Sequence, residues 1–338
     1  MESFWNKLPR PFFVLAPMAD VTDQAFRRVI AKYGKPDVMW TEFVSADGLF
    51  LGGREALMPD LSFTESERPI VAQFFTSKPE LMEKAAALAC ELGFDGIDIN
   101  MGCPDRTIEK QGAGAAMIKN PALAVQIIEA AKRGAGGLPV SVKTRVGYNK
   151  VELETWLPAI LKAKPAALTV HARTRKEMSL VPARWEHVAE AVRLRNEISP
   201  ETVILGNGDA LSLADAKQKA VDSSADGVML GRAIFGNPWL FANLAHENRG
   251  RQIEHTEPLG GGKGKVPSLE EKLTVMVEHT KLYEELLGGK KSFAVMKKHY
   301  KAYVNGFDGA KELRMELMEA KDASEVERVT TAFLQSRS

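Results

Sequence analysis

Cysteine is nearly missing from this chain, with two in 338 residues. That excludes a disulfide framework and points to a reducing, cytoplasmic setting. No CxxC pair and no His/Cys cluster occurs, so no metal centre is expected. Long apolar runs are missing too. None approaches the ~20 residues that cross a bilayer. Met1-Glu2-Ser3-Phe4-Trp5 has neither the basic nor the apolar region of a signal peptide. No membrane partner is therefore expected. Neither charge dominates, since 45 basic side chains against 44 acidic ones leave a net charge of +1. Nucleic-acid binding over a large surface usually leaves a basic excess. Any such contact must rest on a local cluster. One exists at residues 290–301, where Lys297 and Lys301 stand four apart, on one face of a helix.

What is present is an alternation of short apolar runs with longer helical patterns. Runs expected to form strands are Phe13–Ala16, Val38–Trp40, Ile70–Phe75, Gly96–Asn100, Val140–Lys143, Leu168–His171, Val203–Gly206 and Gly227–Leu230. Helical patterns between them include 79–92, 121–133 and 185–198, the first with Leu81, Ala85, Leu88 and Leu92 on one stripe. Eight β/α repeats predict an α/β chain closed into a (β/α)8 TIM barrel rather than an open sheet. The chain exceeds the ~250 residues of a typical barrel by enough for one small further domain. The expected organisation is a barrel over 1–247, a linker over 248–267 with Gly260-Gly261-Gly262, and an all-α helical bundle over 268–338. Ser268 and Glu271 stand at capping-box spacing, and helix breaks are expected near Gly288-Gly289 and at 306–309.

The strand ends are polar. Residues two apart share a face of a strand, so Asp98 and Asn100 oppose Ile97 and Ile99. Ser141, Lys143 and, with extension, Arg145 oppose Val140 and Val142. Thr169, His171 and, with extension, Arg173 and Arg175 oppose Leu168 and Val170. The apolar faces should meet the outer helices and the polar faces should point inward. Gln73, Asn100, Lys143 and His171 then converge at the mouth where barrel active sites sit. A lysine inside a barrel demands an anionic partner. The seventh run leads into Asn207-Gly208-Asp209 and the eighth into Gly231-Arg232, loops suited to a phosphate. Phosphate there with a polar ring nearby fits FMN. Cys103, just past the fourth strand in Asn100-Met101-Gly102-Cys103-Pro104, is the plausible reactive thiol. Cys90 lies off the apolar stripe of its helix and is expected to be incidental. Asp98 sits deeper and is expected to be structural.

Ala16-Pro17-Met18-Ala19-Asp20, Gln73, Asn100–Pro104, Lys143-Thr144-Arg145, His171-Ala172-Arg173-Thr174-Arg175, Asn207-Gly208-Asp209 and Gly231-Arg232 occur in the order seen in the tRNA-dihydrouridine synthase family. The chain resembles that family well over 10–240. It does so more loosely in the tail, at Lys298-His299-Tyr300-Lys301. The Asn100–Pro104 and His171–Arg175 segments are the most specific pair. The resemblance implies an FMN barrel and a helical tRNA-binding domain, which together reduce the C5–C6 double bond of uridine in tRNA with NADPH. By position, Pro17, Met18, Gln73, Lys143 and His171 would contact the flavin ring. Asn207, Gly208, Asp209, Gly231 and Arg232 would hold its phosphate. Cys103 would be the proton donor. Asn100, Arg145, Arg173, Arg175, Lys297 and Lys298 would meet the substrate. A monomer is the default for this resemblance. Two departures are visible. Arg106 stands where many relatives have lysine, and the glycine-rich 260–264 lengthens the joint between domains. The alternative is an FMN barrel acting on a small molecule, such as a dihydroorotate dehydrogenase-like or enoate reductase-like enzyme.

Overall fold

The computed structural model describes residues 3–242 and 267–337. The linker expected over 248–267 lies, except for Pro267, outside the described residues. Two compact units are present. One comprises Met1–Met18, Asp37–Phe63 and Arg68–Arg232, the other Ala19–Pro36, Thr64–Glu67 and Ala233–Ser338. Neither unit is one continuous stretch of chain, a grouping that hydrophobic periodicity does not disclose.

The first unit is built on eight parallel strands. They are β1 (Phe12–Leu15), β2 (Met39–Ser45), β3 (Ile70–Phe75), β4 (Gly96–Met101), β5 (Val140–Arg145), β6 (Ala167–His171), β7 (Val203–Asn207) and β8 (Gly227–Leu230). Their order is β1-β8-β7-β6-β5-β4-β3-β2. A parallel bridge between Val14 and Val38 joins the two ends and closes the barrel. β2 is longer than its apolar run predicts. Thr41 and Glu42 interrupt the hydrophobicity, yet the strand runs on through a register shift between Trp40 and Phe43. The strand-like extension expected past Lys143 is present, since β5 reaches Arg145.

The outward faces are apolar, as expected. Ile97, Ile99, Val142, Leu168 and Val170 are all buried. The Pro79–Glu91 helix packs on β3 and β4 and beside the Pro121–Gly134 helix, with Leu81, Ala85 and Leu88 buried. The inward face divides along the barrel axis rather than being polar throughout. Phe12, Val14, Val71, Ala167, Val203, Leu205 and Met229 form one buried cluster with Trp5 and Trp40. Polar side chains take over only toward the strand ends. The closed end of a barrel cannot be hydrated, so unpaired polar groups there would be costly, whereas the mouth admits them.

The second unit contains the helices Gln24–Tyr33, Leu269–Leu287, Met296–Tyr303, Ala310–Glu319 and Ala323–Gln335. Both expected glycine breaks fall between helices, and the Ser268–Glu271 capping box is formed. Leu273, Met276, Tyr283, Tyr300, Leu313, Leu317 and Val326 share one core with Ala25 and Val29. A fully buried ion pair, Arg27 Nε to Glu67 at 2.6 Å, ties together two sequence-distant pieces of this unit.

Candidate active site

Strand register builds the site layer by layer. Gln73 pairs with Asp98 and Asp98 with Ser141; one layer higher, Asn100 pairs with Lys143. Side-chain hydrogen bonds follow this register. Gln73 Nε2 donates to Asp98 at 2.5 Å, Ser141 Oγ donates to Asp98 at 2.5 Å, and Asn100 Nδ2 donates to Gln73 Oε1 at 3.2 Å. Asp98 is completely buried. Burial raises its pKa to about 6 against the opposing pull of the Ser141 and Gln73 hydrogen bonds.

Beyond Asn100 the chain turns. Asn100 Oδ1 accepts from the amides of Gly102 (3.1 Å) and Cys103 (2.9 Å), and the Cys103 carbonyl accepts from Ala115 N at 2.9 Å. Both ends of the turn are therefore held by hydrogen bonds. The Cys103 side chain is half-buried against Phe43, Phe75, Ile108 and Ala113. Burial pushes its thiol pKa up, so it keeps its proton at neutral pH. Cys90 is exposed on its helix, and both cysteines are free.

The mouth is rich in positive charge. Burial, followed by the fields of Arg145, Lys143, Arg173 and Arg232, drives the His171 pKa well below its usual value, so the imidazole is neutral. Burial and then Arg145 push Lys143 down to about 8. Lys143 makes no hydrogen bond or ion pair with a described residue. Arg232 is 62% exposed and is held by Asp209 at 2.7 Å. Asp209 also pairs with Arg173 and accepts from Ala183 N at 2.9 Å. The Arg173 hydrogen bond holds the Asp209 carboxyl below the usual range. Asp209 thus orients guanidinium groups. As an anion it would not itself attract a phosphate.

Asn207 ends β7 and donates to the Met229 carbonyl at 2.8 Å, and Gly208 has φ +120°, a conformation that favours glycine. At Gly231 the nearest atoms to an added Cβ are Met18 Sδ at 3.6 Å and Ala16 Cβ at 3.7 Å. Both are ordinary van der Waals distances, so packing within the protein does not by itself require glycine at this position. Pro17 is buried just beyond β1, and Met18 is half-buried.

The remaining arginines have protein partners. Arg145 donates to the carbonyls of Gly102 (2.8 Å), Thr174 (3.0 Å) and Met178 (3.0 Å). Arg175 is bound bidentately by Glu109, and Arg173 Nε donates to the Val181 carbonyl at 2.5 Å. Lys297 and Lys298 belong to the second unit. Lys298 is exposed and pairs with Asp20 at 3.0 Å, while Lys297 is half-buried. The sequence places Ser141 on the inward face two before Lys143 without giving it a role, and sequence reasoning missed Glu109 and Trp185 as parts of the site. Glu109 and Trp185, whose Nε1 donates to Gly208 O at 2.9 Å, act through partners distant in sequence.

The donor set fits an anionic cofactor. An ammonium that makes no hydrogen bond or ion pair with a described residue lies near the end of β5, and an exposed guanidinium follows β8, in a chain whose overall charge is only +1. No group of side chains among the described residues could hold a metal ion, and no described helix is long and apolar enough to cross a membrane. The family model described as dihydrouridine synthase matches residues 14–338. The chain is 42% identical over 335 residues to the probable tRNA-dihydrouridine synthase 2 of Bacillus subtilis (strain 168), covering 98% of this chain and 97% of that one. It is 39% identical to the probable tRNA-dihydrouridine synthase of Staphylococcus aureus (strain COL), covering 98% and 96%. The histamine dehydrogenase of Rhizobium sp. 4-9 shares the fold, with a TM-score of 0.50, 12% identity and coverage of 70% of this chain and 45% of that one. The chain belongs to the dihydrouridine synthase family, flavin-dependent enzymes that reduce uridines in tRNA to dihydrouridine.

Proposed function

We propose that this protein reduces the C5–C6 double bond of uridine in tRNA, with Cys103 as the acid that protonates C5. The observation that carries the proposal is the Cys103 turn: a half-buried, protonated thiol held at the barrel mouth by Asn100. FMN would be held at its ring by Pro17, Met18, Lys143 and His171; Gln73, expected there too, is fully buried with its amide bonded to Asp98 and Asn100, so it would shape the site without holding the ring. The FMN phosphate would be held by Asn207, Gly208, Gly231 and Arg232, with Asp209 orienting Arg232. When bound and reduced by NADPH, FMN supplies a hydride to C6 of the uracil. The electron pair of the double bond then moves to C5 and takes the Cys103 proton, and the thiolate is reprotonated from solvent. Lys143 would place a positive charge beside the reduced cofactor. Neutral His171 would contact it without adding charge.

A uridine inside folded tRNA must be extruded to reach the mouth, at a cost of a few kcal/mol. Asn100 would orient the extruded base. Arg145, Arg173 and Arg175 would meet the substrate; Arg145 and Arg173 are almost fully buried, and protein partners hold all three in fixed directions. Lys297 and Lys298 would meet tRNA phosphates. Two free cysteines suit a reducing, cytoplasmic setting, and a monomer is the default that the family resemblance implies. The small-molecule alternative has no counterpart for the second unit and its basic helix. The test is Cys103→Ala with unmodified tRNA. FMN content and NADPH-driven flavin reduction should persist while dihydrouridine formation falls ~100-fold or more. Dihydrouridine formation at the wild-type rate would remove Cys103 from the mechanism.

A further inference from the structure

We infer that Asp98 is a positioning residue, which fixes the direction of the Asn100 amide through Gln73 and so holds the Cys103 turn. Its consequence for catalysis rests on the proton-donor reading above; the hydrogen-bond relay itself does not. The relay has four hydrogen bonds. Asp98 accepts from Gln73 Nε2, Gln73 Oε1 accepts from Asn100 Nδ2, and Asn100 Oδ1 accepts from Gly102 N and Cys103 N. Gln73 and Asp98 are fully buried and Asn100 is 7% exposed. Water is therefore not at hand to replace a lost partner.

An amide side chain has one accepting end and one donating end, and turning it over exchanges them. An ionised carboxylate only accepts, and a backbone N–H only donates. The carboxylate at one end and the two amides at the other therefore impose the same direction on both side-chain amides between them. Reversing Gln73 would set its oxygen against Asp98. Reversing Asn100 would set its NH2 against the donors of the cysteine turn, and a buried unsatisfied donor is costly. Ser141 Oγ, which donates to Asp98 and sits 3.1 Å from the Ile97 carbonyl, holds the carboxylate from the other side.

The relay predicts a specific rescue. Asn100→Asp places carboxylates on both sides of Gln73, whose single NH2 cannot serve both in this geometry. Adding Asp98→Asn reverses the relay consistently. The amide introduced at position 98 then donates to Gln73 Oε1, and Gln73 Nε2 donates to the carboxylate introduced at position 100. That carboxylate still accepts from Gly102 and Cys103. The same logic holds for Gln73→Glu. The carboxyl introduced at position 73 faces Asp98 and must hold a proton, but once Asp98→Asn is added it accepts from both neighbours. Asp98→Asn alone is mild, because the new side-chain carbonyl can still accept from Gln73 while its NH2 turns to Ser141.

The experiment is amide hydrogen exchange by mass spectrometry over residues 100–104, with thermal unfolding, on the full flavin-loaded chain. N100D and Q73E should each lose protection at Gly102 and Cys103 by about tenfold. The double variants D98N/N100D and D98N/Q73E should recover most of it. Rescue in either pair supports the relay. Single variants that keep wild-type protection overturn it, as do double variants that fare no better than the singles or fail to fold with them. Because exchange needs no tRNA, a failed relay is distinguishable from a failed proton-donor assignment, which C103A alone decides.

Discussion

Two side chains on neighbouring strand ends, Lys143 and Cys103, have environments that push them in useful directions. Burial and Arg145 bring Lys143 down to about 8 from 10.5. An anionic cofactor binds the ammonium form. Affinity should therefore be flat below about pH 8 and fall above it, by up to about tenfold per pH unit. Flavin fluorescence titrations across this range test it. K143M should weaken binding below pH 8 and remove the pH dependence. At this scale the sequence was most legible for residues that act at their own position. The inward parity of β4 and β5 marks Asn100, Lys143 and the depth of Asp98 from spacing alone. Arg145, Arg173 and Arg175 were legible as cations at the mouth. That Glu109 clamps Arg175 and that Asp209 binds Arg173 and Arg232 was not, because those partners meet only after folding.

Among the elements, the helix that opens the tail shows what local chemistry accomplishes. Ser268 N donates to Glu271 Oε2 at 2.6 Å and Glu271 N donates to Ser268 Oγ at 3.1 Å, the reciprocal pair that the spacing predicts. Ser268→Ala should destabilise the chain by about 1 kcal/mol in urea unfolding. The Met296–Tyr303 helix buries Met296, His299, Tyr300 and Tyr303 and leaves Lys298 and Lys301 exposed. Replacing Lys297, Lys298 and Lys301 by alanine should weaken tRNA binding and lower its salt slope by about one for each phosphate no longer neutralised. An unchanged slope would take these lysines out of the interface. β2 shows the opposite case. Its extension through Thr41 and Glu42 runs against its apolar pattern. A partner strand decides it, since Phe43, Val44 and Ser45 pair with Gln73, Phe74 and Phe75.

For the whole molecule, acid stability should be set partly by two histidines of the second unit. His279 stacks on Phe26 at 4.9 Å and stands 4.6 Å from His299. Neither ring nitrogen of either residue bonds a described residue. Burial lowers His279 well below its usual value and His299 to about 3. Both are neutral in the folded chain, while the unfolded chain takes up these protons near pH 6.5. This contribution to stability is complete above pH 6.5 and is lost progressively as pH falls toward 3, by up to about 1.4 kcal/mol per pH unit for each histidine. Melting temperatures between pH 7.5 and 5 should show the decline, and H279L should flatten it.

Alternation of apolar runs and helical stripes determined the barrel, and alternation within each strand determined which residues face inward, because both follow from the fixed geometry of strand and helix. Motif order determined the family. Tertiary structure alone decided the division of the inward face into an apolar floor and a polar mouth, since hydration depends on depth in the closed barrel. It also decided that residues 19–36 and 64–67 group with the C-terminal helices, and that one buried carboxylate reaches the cysteine turn through two amides. Those are contacts between distant segments, and no local periodicity encodes them.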